Sequence, residues 1–344
     1  GMRVLLDGVF HSPGLEFFAF QDAVQKGPDS DYWDWFLIEG YPVQTEYPIN
    51  YRAWGHLREM PNFNLDNPEV VEYLQDVLVY WVREMDIDGW RLDTVDKLSN
   101  TFLREARRRL RAVKHDCVLA GELWYDARPW LQGDTLDTVM NYPFCRALTA
   151  FFAEKEIAPS AFSQRLGWVR GRYRYQAWQG LWNLLSSHDI RRFFSAAEES
   201  IERTKLAVLF QFTYPGTPFL FAGDELGMTG HSLDCRYGLY WDEDRQQRDL
   251  LAFYRMAGRL HQENPALRHG DFREILISDE RGLYGFARRF RDAEIQVIFN
   301  VGPTEQFVDV PEGSTDLLKG TIISGVEVAL QPDSAIVLHH RVGP

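Results

Sequence analysis

The hydrophobic positions of this chain gather into short apolar runs that stop at a charged residue and are followed by stretches of helical period. The first run, Val4-Leu5-Leu6, delivers Asp7 and then dissolves into glycine, serine and proline by Gly14. Residues 68–85, PEVVEYLQDVLVYWVREM, space their apolar positions as one helix face, with Asn67 as N-cap and Pro68 at the first helical position. GWRLD (89–93) reads as a strand and FLREARRRLRAV (102–113) as a basic amphipathic helix. CVLAGELW (117–124) and LDTVMNY (136–142) are further strands. Helices are expected over 143–155 and about 160–175, a strand at 181–187 and a helix near 199–213. A strand at 218–223 and a long helix at 249–261 complete the series. Mostly apolar strands alternating with helices predict a parallel sheet covered by helices, an α/β architecture.

Two stretches break this rhythm. Residues 11–61 are irregular and rich in Pro, Gly, Trp and Tyr, inserted between the first strand and its helix. After about residue 267, short strand patterns such as FREILIS, LYGFARRF, IQVIFNV, EQFVDV and AIVLHH are separated by Gly, Asp and Pro turns, which predicts a small antiparallel β domain. The expected division is therefore 1–266, including an inserted B domain at about 11–61, and 267–344 as a C-terminal β-sandwich.

Four strand candidates end on an acid: Asp7, Asp93, Glu122 and Asp189. In a barrel of parallel strands the carboxyl ends share one face, so acids remote in sequence converge there. An acid at a strand end is ordinary where solvent begins, but four together, accompanied by Arg91 and His188, point to a site. Arg91 and Asp93 are two residues apart and face the same side of their strand, so the guanidinium favours an ionised carboxylate suited to nucleophilic attack. Glu122 closes an apolar run beside Trp124, where desolvation and neighbouring negative charge favour the protonated acid. His188 and Asp189 form a hydrogen-bonding pair able to grip hydroxyl groups. One ionised and one protonated carboxyl is the requirement for cleaving a glycosidic bond. Carboxylates gathered around a divalent ion are a competing reading, made unattractive by Arg91 beside Asp93.

The 344 residues, 45% of them hydrophobic, suffice for a large core, and the 11 Trp suit stacking on sugar rings. A net charge of −13 argues against nucleic acid or an anionic membrane surface as partner. Cys117, Cys145 and Cys235 are widely spaced and odd in number, giving neither a disulfide framework nor a metal spacing; buried free thiols in a reducing compartment are expected. Without a leader pattern or a membrane-length apolar run, the expected location is cytoplasmic.

The motifs DGWRLDTVDKL, AGELW, NLLSSHD and MPNFN, in this order of the site's logic, resemble those of the α-amylase superfamily, glycoside hydrolase family 13. YPGTPFLFAGDELGM and DCRYGLYWD are similar to stretches around that family's last barrel strand, and MPNFN is closest to the neopullulanase, cyclomaltodextrinase and maltogenic amylase branch. The resemblance implies a (β/α)8-type TIM barrel and a retaining mechanism on α-glucosidic bonds. It implies Asp93 as nucleophile, Glu122 as general acid/base and Asp189 as transition-state stabiliser. Arg91, His188, Trp124, Asp7, His11, Asp234 and Arg236 would contact or support substrate, with no cofactor. The substrates implied are maltooligosaccharides, cyclodextrins or pullulan, cleaved at α-1,4 or alternatively α-1,6 bonds.

Two departures stand out. The family's first motif reads like DGVFNH, whereas this chain has His11 and Ser12 at the last two positions. His is a poor ligand for a hard cation that prefers oxygen, so no calcium ion, and no metal of any kind, is expected there. His11 could take over the sugar contact of the family's histidine or be merely structural or solvent-facing. In the family the strand bearing Asp7 is the third of eight, and only six strands precede the β domain here. A barrel lacking its first two βα units leaves open edges, which would call for a partner chain, a homo-oligomer or further sequence. The alternative function is a catalytically degenerate relative serving as a glucan-binding or assembly subunit.

Overall fold

A computed structural model describes residues 1–342 apart from His56. The chain divides into two compact units, Gly1–Met140 and Asn141–Pro344.

The first unit is built on a four-stranded parallel sheet in the order β1 (Leu5–Gly8), β2 (Gly89–Leu92), β3 (Val118–Gly121), β4 (Thr138–Val139). Helix α1 (Phe18–Lys26) lies in the inserted segment, and α2 (Pro68–Glu84) and α3 (Asn100–Val113) follow as the connections between β1, β2 and β3. The start of α2 is set by Asn67, whose Oδ1 accepts from the Glu69 backbone N–H at 2.9 Å, with Pro68 pre-set for the helix. Helix α2 buries Val70, Leu74, Leu78 and Val82, one stripe at fourfold spacing. Helix α3 buries Phe102, Leu103, Ala106 and Leu110, while its arginines turn outward into ion pairs such as Arg109 with Glu72 and Arg107 with Asp137. The inserted segment is held by aromatic edge-to-face contacts, Phe17 with Phe63, Phe18 and Trp35 with Tyr32, and Phe20 with Phe36, and by the isolated antiparallel bridges Phe36–Phe63, Ile38–Tyr51 and Ala53–Pro61. Helix α1 was not expected from the sequence. It buries only Ala19, Phe20 and Ala23, too few for a clear apolar stripe.

The second unit begins with α4 (Tyr142–Leu148), prolonged by a π-helical turn at Thr149–Ala153, then α5 (Pro159–Arg170) and α6 (Tyr175–Gly180). A helix was expected over about 160–175; it is α5, which ends at Arg170 before Gly171, and the short α6 that follows was not expected. Strands β5 (Trp182–Leu184) and β6 (Thr217–Phe219) pair in parallel, with α7 (Phe193–Ala196) and α8 (Ile201–Thr213) between them. Four parallel strands in the first unit and two in the second match the number that the alternation predicts, each shorter than the apolar run that announces it. After α9 (Arg248–Glu263) and α10 (Pro265–His269) come β7 (Arg273–Ser278), β8 (Leu283–Phe290), β9 (Ala293–Asn300), β10 (Gln306–Asp309), β11 (Thr315–Asp316), β12 (Thr321–Ile322), β13 (Glu327–Leu330) and β14 (Ser334–Arg341). Six of these form one antiparallel sheet in the order β12-β11-β14-β9-β8-β7, and β10 pairs with β13.

The compact units do not divide at the change of rhythm near residue 267. Phe151, Phe152 and Phe162 from the helical part stack with Phe210 of α8 and with Tyr284, Phe286 and Phe299 of β8 and β9, making one aromatic core. Phe151 and Phe162 are nearly parallel, with centroids 4.0 Å apart. A second apolar layer, Leu283, Ile298, Val308, Val310, Leu330, Ile336 and Leu338, closes the antiparallel sheet against β10 and β13. No helix among the described residues is long and apolar enough to cross a membrane. The three cysteines are free and buried.

Strand β2 starts at Gly89 because nothing larger fits: a Cβ there would run into the carbonyl of Val118 on β3. A backbone group cannot step aside as a side-chain tip does. Gly89→Ala is therefore expected to lower the unfolding free energy by ~3 kcal/mol, measured as a shift of the urea midpoint at unchanged slope.

Candidate active site

Strand register brings the acids of the first unit together. Asp7 on β1 is directly paired with Arg91 on β2, and the last paired residues of β2 and β3 are Leu92 and Gly121. Asp93 and Glu122 each lie one step beyond that pair, so they leave neighbouring strands side by side. Backbone hydrogen bonds seat them: the Asp93 N–H donates to Gly8 O at 3.0 Å and the Glu122 N–H to Leu92 O at 2.9 Å.

Arg91 organises the group. Its Nη1 donates to Asp7 Oδ1 and to Asp93 Oδ1, each at 2.7 Å. Its Nη2 lies 2.8 Å from Glu122 Oε2, a close ion contact lacking the direction of a hydrogen bond. Glu122 is 5% exposed. Thr94 completes the pair: its hydroxyl donates to Asp93 Oδ2 at 2.9 Å and its backbone N–H to Glu122 Oε2 at 3.2 Å. Thr94 adopts φ 43°, a left-handed conformation costly for a β-branched residue, and that turn is what aims both donors at the two acids.

One guanidinium cannot neutralise three carboxylates, and the environment separates the proton affinities of Asp93 and Glu122. Burial would raise the Asp93 carboxyl, but the polar contact with His11, the hydrogen bonds and charge of Arg91 and the Thr94 hydroxyl outweigh it and hold Asp93 well below the usual carboxylate range. Burial dominates at Glu122 and pushes its carboxyl up; the charge of Arg91, the Trp124 hydrogen bond and the Thr94 N–H only partly oppose it. Trp124 Nε1 donates to Glu122 Oε1 at 3.0 Å, so Trp124 stands at the mouth of the acid pair.

His11 is neither solvent-facing nor remote. It is 4% exposed, its Nδ1 shares a 2.8 Å hydrogen bond with Ser12 Oγ, and its ring lies 6.1 Å from that of Trp54. Its Nε2 is 3.6 Å from Asp93 Oδ2, beyond hydrogen-bond length, and has no hydrogen-bond partner among the described residues. The two departures from the family motif thus act as a pair, with Ser12 orienting the histidine toward Asp93. Among the described residues, no group of three or more His, Cys, Asp or Glu side chains is placed to hold a metal ion.

The other four expected residues belong to the second unit. His188 Nε2 lies 3.1 Å from Asp189 Oδ2, and Arg236 forms an ion pair with Asp189 Oδ1 while its Nε donates to His188 O at 2.8 Å. Arg236 is thus engaged with the His188-Asp189 pair, and Asp234 is exposed nearby in sequence. The sequence reading missed the supports of this group. The Cys235 thiol approaches Ser187 O and His188 O at 3.6 and 3.5 Å, and the fully buried Arg192 donates to Cys235 O at 3.1 Å and to Asp224 Oδ1 at 2.8 Å.

The family described as alpha amylase, catalytic domain, matches residues 1–269. The chain belongs to the α-amylase family. Within that family it is 38% identical over 344 residues to a cyclomaltodextrinase of Thermoanaerobacter pseudethanolicus, covering 98% of this chain and 60% of that protein. It is 41% identical over 350 residues to neopullulanase 2 of Thermoactinomyces vulgaris, again covering 98% and 60%. The ligand-free cyclic α-maltosyl-(1→6)-maltose hydrolase from Arthrobacter globiformis superposes with a TM-score of 0.91 at 30% identity, covering 99% of this chain and 75% of that one. The chain therefore spans about 60% of the length of these two curated α-amylase relatives. The fold is that family's: parallel strand–helix units of the TIM-barrel type followed by an antiparallel β domain.

Arg192 and Asp224 offer a direct check on the second group. Arg192→Met removes the counter-charge of a buried carboxylate, and the unfolding free energy is expected to fall by ~3–5 kcal/mol, read from denaturant unfolding.

Proposed function

We propose that this chain carries the catalytic machinery of a retaining α-glucan hydrolase or transglycosylase acting on maltooligosaccharides, cyclodextrins or pullulan. The observation that carries the reading is the opposed poise of Asp93 and Glu122 around one arginine. Names of the relatives, cyclomaltodextrinase and neopullulanase, support the substrate class. In this reading ionised Asp93 attacks the anomeric carbon while Glu122 gives its proton to the departing glycosidic oxygen, producing a glucosyl ester on Asp93. Glu122, now a carboxylate, takes a proton from water or from a sugar hydroxyl, whose oxygen displaces Asp93. Neighbouring parallel strands are ~4.8 Å apart, a spacing suited to the short carboxyl separation of the retaining mechanism. His11 Nε2, buried and aimed past Asp93, would supply a polar contact to the reacting sugar, and Asp189 and His188 would grip sugar hydroxyls. Buried free thiols support a reducing, cytoplasmic setting.

A second reading is a glucan-binding subunit without turnover, favoured by Ser12 standing where the family has histidine. Release of reducing sugar from β-cyclodextrin, pullulan or an aryl maltoside by the purified protein separates the two; no release from any of them establishes the second. Asp93→Ala is expected to abolish release, and Glu122→Gln to reduce kcat by ~10²–10⁴-fold.

Catalysis needs Asp93 ionised and Glu122 protonated. The pH profile of kcat/KM should therefore be bell-shaped, lost on the acid side as Asp93 protonates and on the alkaline side as Glu122 ionises. Trp124→Phe removes a donor that favours ionised Glu122, so the alkaline limb is expected to move to higher pH. A shift to lower pH would contradict this role of the indole N–H.

A further inference from the structure

Helices α4 and α5 of the second unit enclose a cleft of about 480 Å³. Arg146 and Ala147 of α4 and Ala161, Arg165 and Trp168 of α5 line it, so α5 presents to the cleft positions three and four residues apart, one face of the helix. Phe162 and Leu166, on another face of α5, are buried in the core. We propose that this cleft binds a nucleoside phosphate, with the base against Trp168 and the phosphate held by Arg146 and Arg165. The site has no part in the acid group of the first unit and stands apart from the proposed hydrolase activity.

The chemistry of the lining selects the ligand. Arg146 and Arg165 bring two guanidinium groups to it, and among the described residues no Asp or Glu lines the cleft. In a chain of net charge −13 such a wall is a local exception that attracts an anion. The planar fork of arginine donates two parallel hydrogen bonds to a phosphate. Trp168 is 45% exposed, and the Arg172 guanidinium rests 3.8 Å over its ring, which holds the indole in place as a stacking surface. Ala147, Ala161 and Val169 form an apolar floor, and the Gln164 amide is the uncharged polar side chain of the lining. A phosphorylated sugar has hydroxyls around its whole rim and would leave most of them without partners over this floor. A planar base has two apolar faces and a few edge groups that one amide can serve. An alkyl carboxylate would use the floor and the arginines but not the indole face.

Both walls are anchored without using the residues that line the cleft. On α4 the Tyr142 hydroxyl donates to Ser187 Oγ at 3.0 Å and the Cys145 thiol to Leu185 O at 3.1 Å. On α5 the Ser160 N–H donates to Asp279 Oδ1 at 2.8 Å, and Phe162 stacks on Phe151. A ligand therefore meets a preformed cleft and competes with none of these contacts. Its size falls within the roughly 300–1,000 Å³ of small-molecule sites, which combine a mostly apolar wall with a few convergent polar groups.

The test is calorimetric titration of the whole protein with adenosine monophosphate, compared with adenosine, inorganic phosphate and α-glucosyl phosphate. Saturable binding of adenosine monophosphate with Kd below about 1 mM is expected, and about tenfold weaker binding of each comparison ligand. Arg165→Gln and Trp168→Leu, both at exposed positions and both compatible with a helix, should each weaken adenosine monophosphate about tenfold. Trp168→Leu also removes the ring beneath Arg172, so if its urea midpoint falls, Arg165→Gln decides. No saturable binding up to about 10 mM overturns the site. Affinity that both variants leave unchanged overturns it as well, because the nucleotide is then bound elsewhere. Phosphate or α-glucosyl phosphate binding as tightly as adenosine monophosphate overturns the nucleoside assignment. Dimerisation in sedimentation velocity that Trp168→Leu abolishes would give the cleft to a second copy of the chain and overturn the proposal too. Sugar release from a glucan, or its absence, bears on none of these outcomes.

Discussion

Arg91 sits among three carboxylates and gives each a different character. It pairs squarely with Asp7 across the β1–β2 ladder, donates to Asp93 two residues along its own strand, and approaches Glu122 on the far side. A single buried positive charge shared this way cannot satisfy all three, and burial raises the carboxyl of the one with the least water, Glu122. The arrangement depends on parallel register, because only a parallel ladder puts Arg91 between Asp7 and Ala120 while leaving Asp93 and Glu122 at matching heights. Slippage by one residue would turn Arg91 to the opposite face.

Much of this was legible in the primary structure. Runs ending in Asp7, Asp93 and Glu122 announced strand ends, whereas Asp189 lies in the loop five residues beyond the end of β5 at Leu184; the i, i+2 relation of Arg91 and Asp93 announced their contact. The strands proved shorter than their apolar runs, since hydrophobicity extends past the last ladder hydrogen bond into residues that pack without pairing. Leu123, for example, is buried beyond the end of β3. The short α6 beyond the helix expected at about 160–175, and the presence of α1, were hidden because their buried residues are few and the aromatic content blurs any stripe.

What the sequence concealed were the supports. Thr94 looks unremarkable in a string, yet its left-handed backbone sends a hydroxyl to one acid and an amide to the other. Arg192, Asp224 and Cys235 are separated by up to 43 residues and meet only through loops, which carry no periodic signal. His11 and Ser12 showed as departures from a motif; their mutual hydrogen bond appears only in three dimensions.

The aromatic nucleus shared by Phe151, Phe152, Phe162 and Phe210 with Tyr284, Phe286 and Phe299 has a bearing on how the polypeptide can be shortened. A protein ended before β7 would strip partners from four phenylalanines and leave a wide greasy face open to water. Such a fragment invites self-association rather than independent folding. The antiparallel sheet is therefore better regarded as a lid over the helical half than as a detachable appendage.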